Sequence, residues 1–201
     1  MTLPNLLKRI KKNKMKKFNF KDFLGEERKL DKVIRFSAHM RIKDESVSEH
    51  SFHVALYSMI LADLEEKIFK NKVNKEKLLK TAILHDLEEC LTGDIIYDFK
   101  HTNESLTREI KRMSQKFFEN LMKNLPEKIA KEYILFWIKS KDKNKIEGKI
   151  IEAADKFEGL IYAINEFSLG NKEFKRIIEG YKKQLKDLRL KSLNLILNQI
   201  L

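Results

Sequence analysis

The chain has 201 residues, of which 42% are hydrophobic and 36% are charged, but only six are Gly and two are Pro. This composition can bury a full core, but it leaves little material for turns, so it argues against a β-sandwich, a barrel or a collagen-like chain. No apolar stretch is long enough for a transmembrane helix, and the basic start lacks the apolar run of a signal peptide. The single cysteine, Cys90, excludes an internal disulfide and favours a cytoplasmic location. We therefore predict one all-α domain.

The formal net charge of +12 lies at the two ends of the chain. Residues 1–17 carry seven Lys or Arg and no acidic residue, and residues 171–201 carry eight basic and three acidic residues. Residues 18–170 are neutral, with 27 residues of each sign. A basic end can bind a polyanion such as nucleic acid, but it can equally be a solvated tail or the exposed face of a helix.

Apolar residues recur at helical spacing along most of the chain. Ser46 or Ser48, Asn74 and Asn171 are the expected N-caps, and Thr92-Gly93-Asp94 is a turn signal. The predicted helices cover residues 20–36, 47–67, 75–86, 103–123, 126–140, 146–167 and 172–198, with a weaker basic stretch over 6–17 and irregular polar residues over 37–46. We divide the chain into a basic N-terminal extension, residues 1–17, and one domain, residues 18–201.

A histidine followed directly by an aspartate stands late in the third of these helices. Burying His85 and Asp86 beside an apolar face is costly unless a charged partner compensates them. His50 and Asp155 lie on two other predicted helices and offer an imidazole and a carboxylate. Two imidazoles and two carboxylates suit Mn, Co, Fe, Ni or Zn better than the thiolate-rich set of a structural zinc site.

Other interpretations of these residues stay open at this point. A His-Asp pair on a helix is commonly a cap or an ion pair, and Asp155 could pair with a lysine. His53 is a rival ligand, because it follows His50 by three residues. His39 and His101 lie in polar surroundings and are expected to be solvated, and Cys90 is expected in the core.

Three separated blocks resemble the HD-domain phosphohydrolases, in particular the YfbR-type 5′-deoxynucleotidases. The blocks are Glu45-Ser-Val-Ser-Glu49-His50-Ser51, His85-Asp86-Leu-Glu-Glu89-Cys-Leu-Thr92-Gly93-Asp94 and Glu152-Ala-Ala-Asp155-Lys156. The resemblance covers roughly residues 28–170. It implies a single all-α HD-domain bundle with a metal site in its core, often a homodimer, that hydrolyses deoxynucleoside 5′-monophosphates with one bound divalent metal ion.

The resemblance also implies a role for individual residues. The implied metal ligands are His50, His85, Asp86 and Asp155. The implied catalytic residues are Glu89, Arg35 and Asp94, with Glu89 as acid or base, Arg35 on the phosphate and Asp94 on the sugar. The implied substrate-binding residues are Arg35, Phe36, Asp86, Asp94, Ile95, Ile96, Tyr97 and Asp155. The chain departs from the family at Phe36, where a tryptophan is usual, and at Ile96, where a proline is common.

These roles suit the hydrolysis of a phosphate monoester. Arg35 can bind a phosphate through two parallel hydrogen bonds, and Glu89 lies three residues after Asp86, on the same side of a helix. Without the family, Arg35 would be interpreted as a surface ion pair with Asp31, and Glu89 as a solvated helix end. The alternatives are an HD hydrolase of triphosphates, cyclic nucleotides or alarmones, or a basic helical nucleic-acid-binding module. We expect a nucleotide substrate, and neither a membrane nor a nucleic-acid partner.

Overall fold

The computed structural model describes residues 18–140 and 142–200. Within these ranges the regular structure is helical, except for one isolated antiparallel bridge between Ile34 and Ser46. The elements are α1 (Phe20–Glu27), a 3-10 helix (Arg28–Lys32), α2 (Val47–Lys67), α3 (Lys75–Leu84), α4 (Glu89–Thr92), α5 (Tyr97–Lys100), α6 (Glu104–Met122), α7 (Glu127–Ser140), α8 (Ile146–Ser168), α9 (Phe174–Asp187) and α10 (Lys191–Ile200). The all-α prediction is confirmed, whereas the basic extension falls outside the described residues. Over the described part of the chain, no helix combines the length and apolarity that crossing a membrane requires.

Polar caps fix where the helices begin. Ser46, rather than Ser48, caps α2 in a capping box: its hydroxyl accepts from the N–H of Glu49, and the Glu49 carboxylate accepts from the N–H of Ser46. Asn74 caps α3 and Asn103 caps α6 through their side-chain oxygens. These side chains satisfy N–H groups that the first turn of a helix leaves unpaired.

The structure differs from the prediction in three places. Asn171 is not the N-cap of the last predicted helix, which begins only at Phe174, because its side-chain nitrogen donates to the Met40 carbonyl and to Glu166. The segment predicted as one helix over 20–36 is helical only as far as Lys32, and the chain then becomes extended at Val33 and pairs Arg35 N–H with the Glu45 carbonyl. The segment predicted as one last helix is divided into α9 and α10, and Arg189 between them has a positive φ of 48°. At Val33 and at Arg189 the backbone leaves the helical conformation, although apolar residues continue at helical spacing.

Helix α8 is the central element of the bundle, and it packs against α2, α3, α7 and α9. Twelve of its residues are buried, including Ala153, Ala154 and Gly159, whose small size permits close helix packing. One apolar cluster joins α8 to α2, α3, α9 and α10. A second cluster joins Val47 and Leu84 to α6 and α7.

The two apolar clusters meet at the N-terminal part of α2. Val47 belongs to the second cluster and Val54 to the first, and His50 lies between them on the same helix. His85 follows Leu84, another member of the second cluster. Polar side chains at these positions are therefore held at the boundary between two apolar cores.

Two glycines allow a matched test of helix packing. A Cβ on Gly148, in the first turn of α8, would lie 2.2 Å from the Asp142 carbonyl oxygen, whereas a Cβ on Gly180, inside α9, meets nothing within 4 Å. We expect Gly148→Ala to destabilise the fold by about 1–3 kcal/mol through steric overlap. Gly180→Ala should stabilise it by up to about 1 kcal/mol, since alanine is the better helix former. Equilibrium urea unfolding of both variants measures these changes, and equal effects would contradict the packing described here.

Candidate active site

Two buried histidine rings face each other where α2, α3 and α8 meet. His50 lies in the first turns of α2, and His85 is the C-cap residue of α3. Their Nε2 atoms are 3.3 Å apart, although 35 residues separate them in the chain. The two rings are fully or almost fully buried.

The opposite nitrogen of each ring fixes the position of its proton. Nδ1 of His85 is 2.7 Å from the Ala82 carbonyl oxygen, which can only accept. Nδ1 of His50 is 2.5 Å from Oε2 of Glu158. Burial raises the pKa of Glu158, but the hydrogen bond and charge of His50 and the charge of Arg35 outweigh burial and hold it below its usual value. Both Nδ1 atoms therefore donate, and in the neutral rings both Nε2 atoms present lone pairs to each other.

Two carboxylates point at the same place. Oδ2 of Asp86 is 3.0 Å from Nε2 of His85 and 3.5 Å from Nε2 of His50, and Oδ1 of Asp155 is 3.4 Å from Nε2 of His50. Four atoms bearing lone pairs thus converge with no proton between the neutral rings. Such a set needs a positive charge at its centre.

The pKa values of His50 and Asp86 also indicate that this cluster attracts positive charge. Burial and the charge of Arg35 lower the pKa of His50, but the surrounding carboxylates outweigh them and raise it well above its usual range. Burial raises the pKa of Asp86, but the two histidines hold it well below its usual value. The cluster attracts positive charge. His50, His85 and Asp86 offer ligand atoms within 4.8 Å of one another, and Asp155 approaches His50 from α8, so two nitrogens and two oxygens could hold a divalent transition metal.

Arg35 lies beside this cluster, linked to it by a carboxylate. Its Nη1 atom donates to Oε2 of Glu158 at 2.5 Å and to Oε2 of Glu45 at 2.8 Å. Nη2 and Nε make no hydrogen bond with the residues that the structure describes. The alternative ion pair with Asp31 is wrong, because Asp31 pairs with Arg28.

Glu89 and Asp94 carry two further carboxyl groups, and the charge of Asp86 acts on both. Burial, followed by the charges of Asp86 and Asp94, raises the pKa of Glu89 well above its usual value, so Glu89 is not a solvated helix end. Burial also raises the pKa of Asp94, whose Oδ2 accepts the N–H of Phe36 at 3.2 Å. The neighbouring Cys90 is buried as expected, and burial raises the pKa of its thiol to about 12.

Phe36 is held in an unusual backbone conformation. Its φ is +53°, which a non-glycine residue rarely adopts, and its ring stacks on Tyr162 with centroids 5.0 Å apart. The loop that carries Arg35 and Phe36 is fastened to α8, because the carboxylate of Glu166 accepts the N–H groups of Ile42 and Lys43. Tyr162 and Glu166, which hold this loop in place, therefore lie on α8, the same helix that carries Asp155.

The three residues after Asp94 are less closely tied to the cluster. Ile95 is half-buried and lines an open groove of about 350 Å³ against α6. Ile96 and Tyr97 are exposed, and the Tyr97 ring stacks on His101. Among the contacts of the described residues, none links these three side chains to the histidine pair, so their substrate-binding role stays a prediction.

The structure adds residues that the sequence analysis missed. Glu158 contacts His50 and Arg35, and Glu166 holds the loop. The Tyr181 ring lies against Gly159, where a Cβ would come within 2.5 Å of its hydroxyl, and burial raises the pKa of the phenol although the charge of Arg35 opposes this. The signal for Glu158 was its position three residues after Asp155, on the same helix face.

Comparison with known proteins adds to this geometry. A sequence model described as 5′-deoxynucleotidase YfbR-like matches residues 22–201. The chain belongs to this family. A 5′-deoxynucleotidase of Vibrio vulnificus (strain YJ016) is 30% identical over 152 residues, which cover 76% of this chain and 78% of the relative. A 5′-deoxynucleotidase of Pectobacterium atrosepticum is 29% identical over 156 residues, 78% of each chain.

A solved structure shows the same fold. An HD-domain phosphohydrolase of Listeria innocua superposes with a TM-score of 0.81 at 24% identity, covering 91% of this chain and 88% of that one. Together with the family match, this makes the YfbR-like chain an HD-fold hydrolase. The expected family and the expected fold class are both confirmed.

Replacing the Asp86 carboxylate should show whether the cluster is a metal site or only an ion pair between aspartate and histidine. We expect Asp86→Ala to abolish binding of a divalent metal and with it turnover, while far-ultraviolet circular dichroism stays close to wild type. Elemental analysis and Mn²⁺ titration measure the loss. His53→Ala is the matched control, because the His53 ring stacks on Tyr57 rather than facing His85. Turnover by Asp86→Ala in metal-free buffer would contradict the assignment.

Proposed function

We propose that this protein is a metal-dependent phosphomonoesterase that hydrolyses (deoxy)nucleoside 5′-monophosphates to nucleoside and phosphate. The single observation that carries the proposal is the convergence of four lone-pair atoms from His50, His85, Asp86 and Asp155. The named 5′-deoxynucleotidases among its relatives support the substrate class. The fitting metals are Co, Mn, Ni, Fe and Zn, each of which accepts nitrogen and oxygen ligands.

A phosphate monoester is a dianion, so the site must offset negative charge before water can attack. A bound divalent cation supplies this neutralisation and lowers the pKa of water in its coordination sphere. Arg35 adds a second positive charge, and its Nη2 and Nε are suited to two parallel bonds with phosphate oxygens. Glu158 and Glu45 fix the plane of its guanidinium from the opposite side.

We propose that Glu89 protonates the leaving 5′ oxygen. In hydrolysis, a water oxygen forms a new bond to phosphorus, the bond to the 5′ oxygen breaks, and that oxygen gains a proton. The raised pKa of Glu89 lets its carboxyl group carry a proton that a leaving 5′ oxygen needs. Asp94 uses Oδ2 to hold Phe36, which leaves Oδ1 to accept a hydrogen bond from a sugar hydroxyl.

A nucleotide panel tests the function directly. We expect phosphate release from deoxyribonucleoside and ribonucleoside 5′-monophosphates, loss of this activity with a chelator, and its return with Mn²⁺ or Co²⁺. The panel includes triphosphates, cyclic nucleotides and guanosine tetraphosphate, which other HD hydrolases use. Turnover of these compounds without turnover of monophosphates would assign the protein to another branch, and activity in excess chelator would overturn the metal-dependent mechanism.

Replacing Glu89 tests the proton-transfer role. Glu89→Gln keeps the size of the side chain but cannot exchange a proton at neutral pH, so we expect kcat to fall about 10²–10⁴-fold with little change in KM. Steady-state kinetics on the best monophosphate measure this. Glu88→Gln is the control, because its amide oxygen can still accept the Trp137 indole N–H. An unchanged kcat would remove Glu89 from the mechanism.

We also propose that the enzyme is a homodimer and that it works in the cytoplasm. The outer side of α2 exposes Phe52, Met59 and Ile60, which form an apolar row at helical spacing. Light scattering should give twice the chain mass of 23.9 kDa. A monomer at micromolar concentration would contradict the dimer.

A further inference from the structure

One buried carboxylate oxygen contacts both halves of the proposed site. Oε2 of Glu158 lies 2.5 Å from Nδ1 of His50 and 2.5 Å from Nη1 of Arg35. Glu158 is only 2% exposed. The same atom therefore accepts from a proposed metal ligand and from the proposed phosphate-binding arginine.

Each contact fixes one property of its partner. The bond to Nδ1 keeps the proton on that nitrogen, so Nε2 of His50 offers its lone pair to the cluster. The bond to Nη1 holds one edge of the guanidinium, and a planar group held at one edge has a defined direction for the other. Losing the Glu158 carboxylate would loosen the ring and the guanidinium together.

The position of Glu158 on α8 makes this double contact possible. Asp155 and Glu158 are three residues apart, so both side chains lie on the same face of the helix. Asp155 contacts His50 at Nε2, and Glu158 contacts the same ring at Nδ1. The two carboxylates thus hold the imidazole from opposite edges, and α8 sets the distance between them.

Glu45 is close to the same atoms but makes only one of the two contacts. Its Oε2 accepts from Arg35 at 2.8 Å. Glu45, His50 and Glu158 together have the composition of a second metal site. Nη1 of Arg35 already lies between the two glutamates, so the guanidinium supplies the positive charge there.

We propose that Glu158 is a positioning residue that orients His50 for metal binding and Arg35 for phosphate binding through a single oxygen atom. This inference rests on the proposed function. It separates Glu158 from Glu45, whose carboxyl group interacts with Arg35 and with Glu158 but makes no hydrogen bond to His50 among the described contacts.

The test compares Glu158→Gln with Glu45→Gln in the full chain. Both changes replace a carboxyl group next to Arg35 with an amide, but only Glu158→Gln weakens the acceptor for Nδ1. Because burial, together with Glu158, raises the pKa of Glu45 to about 7, the titrations are made at pH 8, where Glu45 is mostly ionised. We expect Glu158→Gln to bind Mn²⁺ about 10–100-fold more weakly than wild type in a titration followed by electron paramagnetic resonance. It should also raise the inhibition constant of inorganic phosphate. Glu45→Gln should raise the inhibition constant of phosphate while its Mn²⁺ affinity stays within about threefold of wild type.

Two outcomes would overturn the inference alone. One is a Glu158→Gln protein with wild-type Mn²⁺ affinity, and the other is an equal loss of Mn²⁺ affinity in both variants, which would indicate a general effect of charge. If the glutamine variant does not fold, Glu158→Asp replaces it in the test. This variant keeps the charge but withdraws the carboxylate oxygen by one methylene. Wild-type affinity of Glu158→Asp for Mn²⁺ and phosphate would again overturn the inference. A wild-type protein that binds no Mn²⁺ would instead overturn the proposed function together with this inference.

Discussion

The structure depends on four lone-pair atoms that converge between two apolar cores. Burying one imidazole or carboxylate without a partner costs several kcal/mol, and here His85, Asp86 and Asp155 each place an atom within about 3.5 Å of Nε2 of His50. The outer nitrogen of each ring is already satisfied, by Glu158 in one case and by the Ala82 carbonyl in the other. The Nε2 atoms of both rings face the centre of the cluster, where a positive charge would stabilise them. The polar cluster thus has the composition and geometry of the metal site that we propose.

Helix α8 unites the parts of this arrangement. Its Asp155 faces the histidine pair, its Glu158 lies behind His50, and its Glu166 holds the loop that carries Arg35 and Phe36. These three residues are spaced by three and by eight positions, so all of them lie towards one side of the helix. One central helix therefore fixes the proposed metal-binding and phosphate-binding groups relative to each other.

The loop before α2 shows how strain at a site is supported from elsewhere. Phe36 adopts a positive φ, and the conformation persists because the backbone around it is fixed at several points. Asp94 accepts its N–H, and Glu166 accepts the N–H groups of Ile42 and Lys43 further along the loop. Arg35, the preceding residue, is thereby presented to the cluster in one orientation.

The sequence alone determined the helical class, most helix bounds and the four converging residues. The N-cap at Asn74 was predictable because capping is a local interaction between a side chain and the next turn, whereas Asn171 is held by distant partners and caps no helix. The prediction was wrong at 33–36 and 188–190, where the apolar spacing continues but the backbone turns. His50, His85, Asp86 and Asp155 were found by their chemistry and by the family resemblance, and the structure brings them together.

Only the tertiary structure revealed the partners of these residues. His50 and Glu158 are 108 positions apart, and Arg35 and Glu158 are 123 positions apart. Helical periodicity specifies which side chains share a face, but it does not specify which faces of distant helices meet or how close they come. The role of a glutamate among thirty acidic residues is therefore decided by packing, since packing determines which donors it can reach.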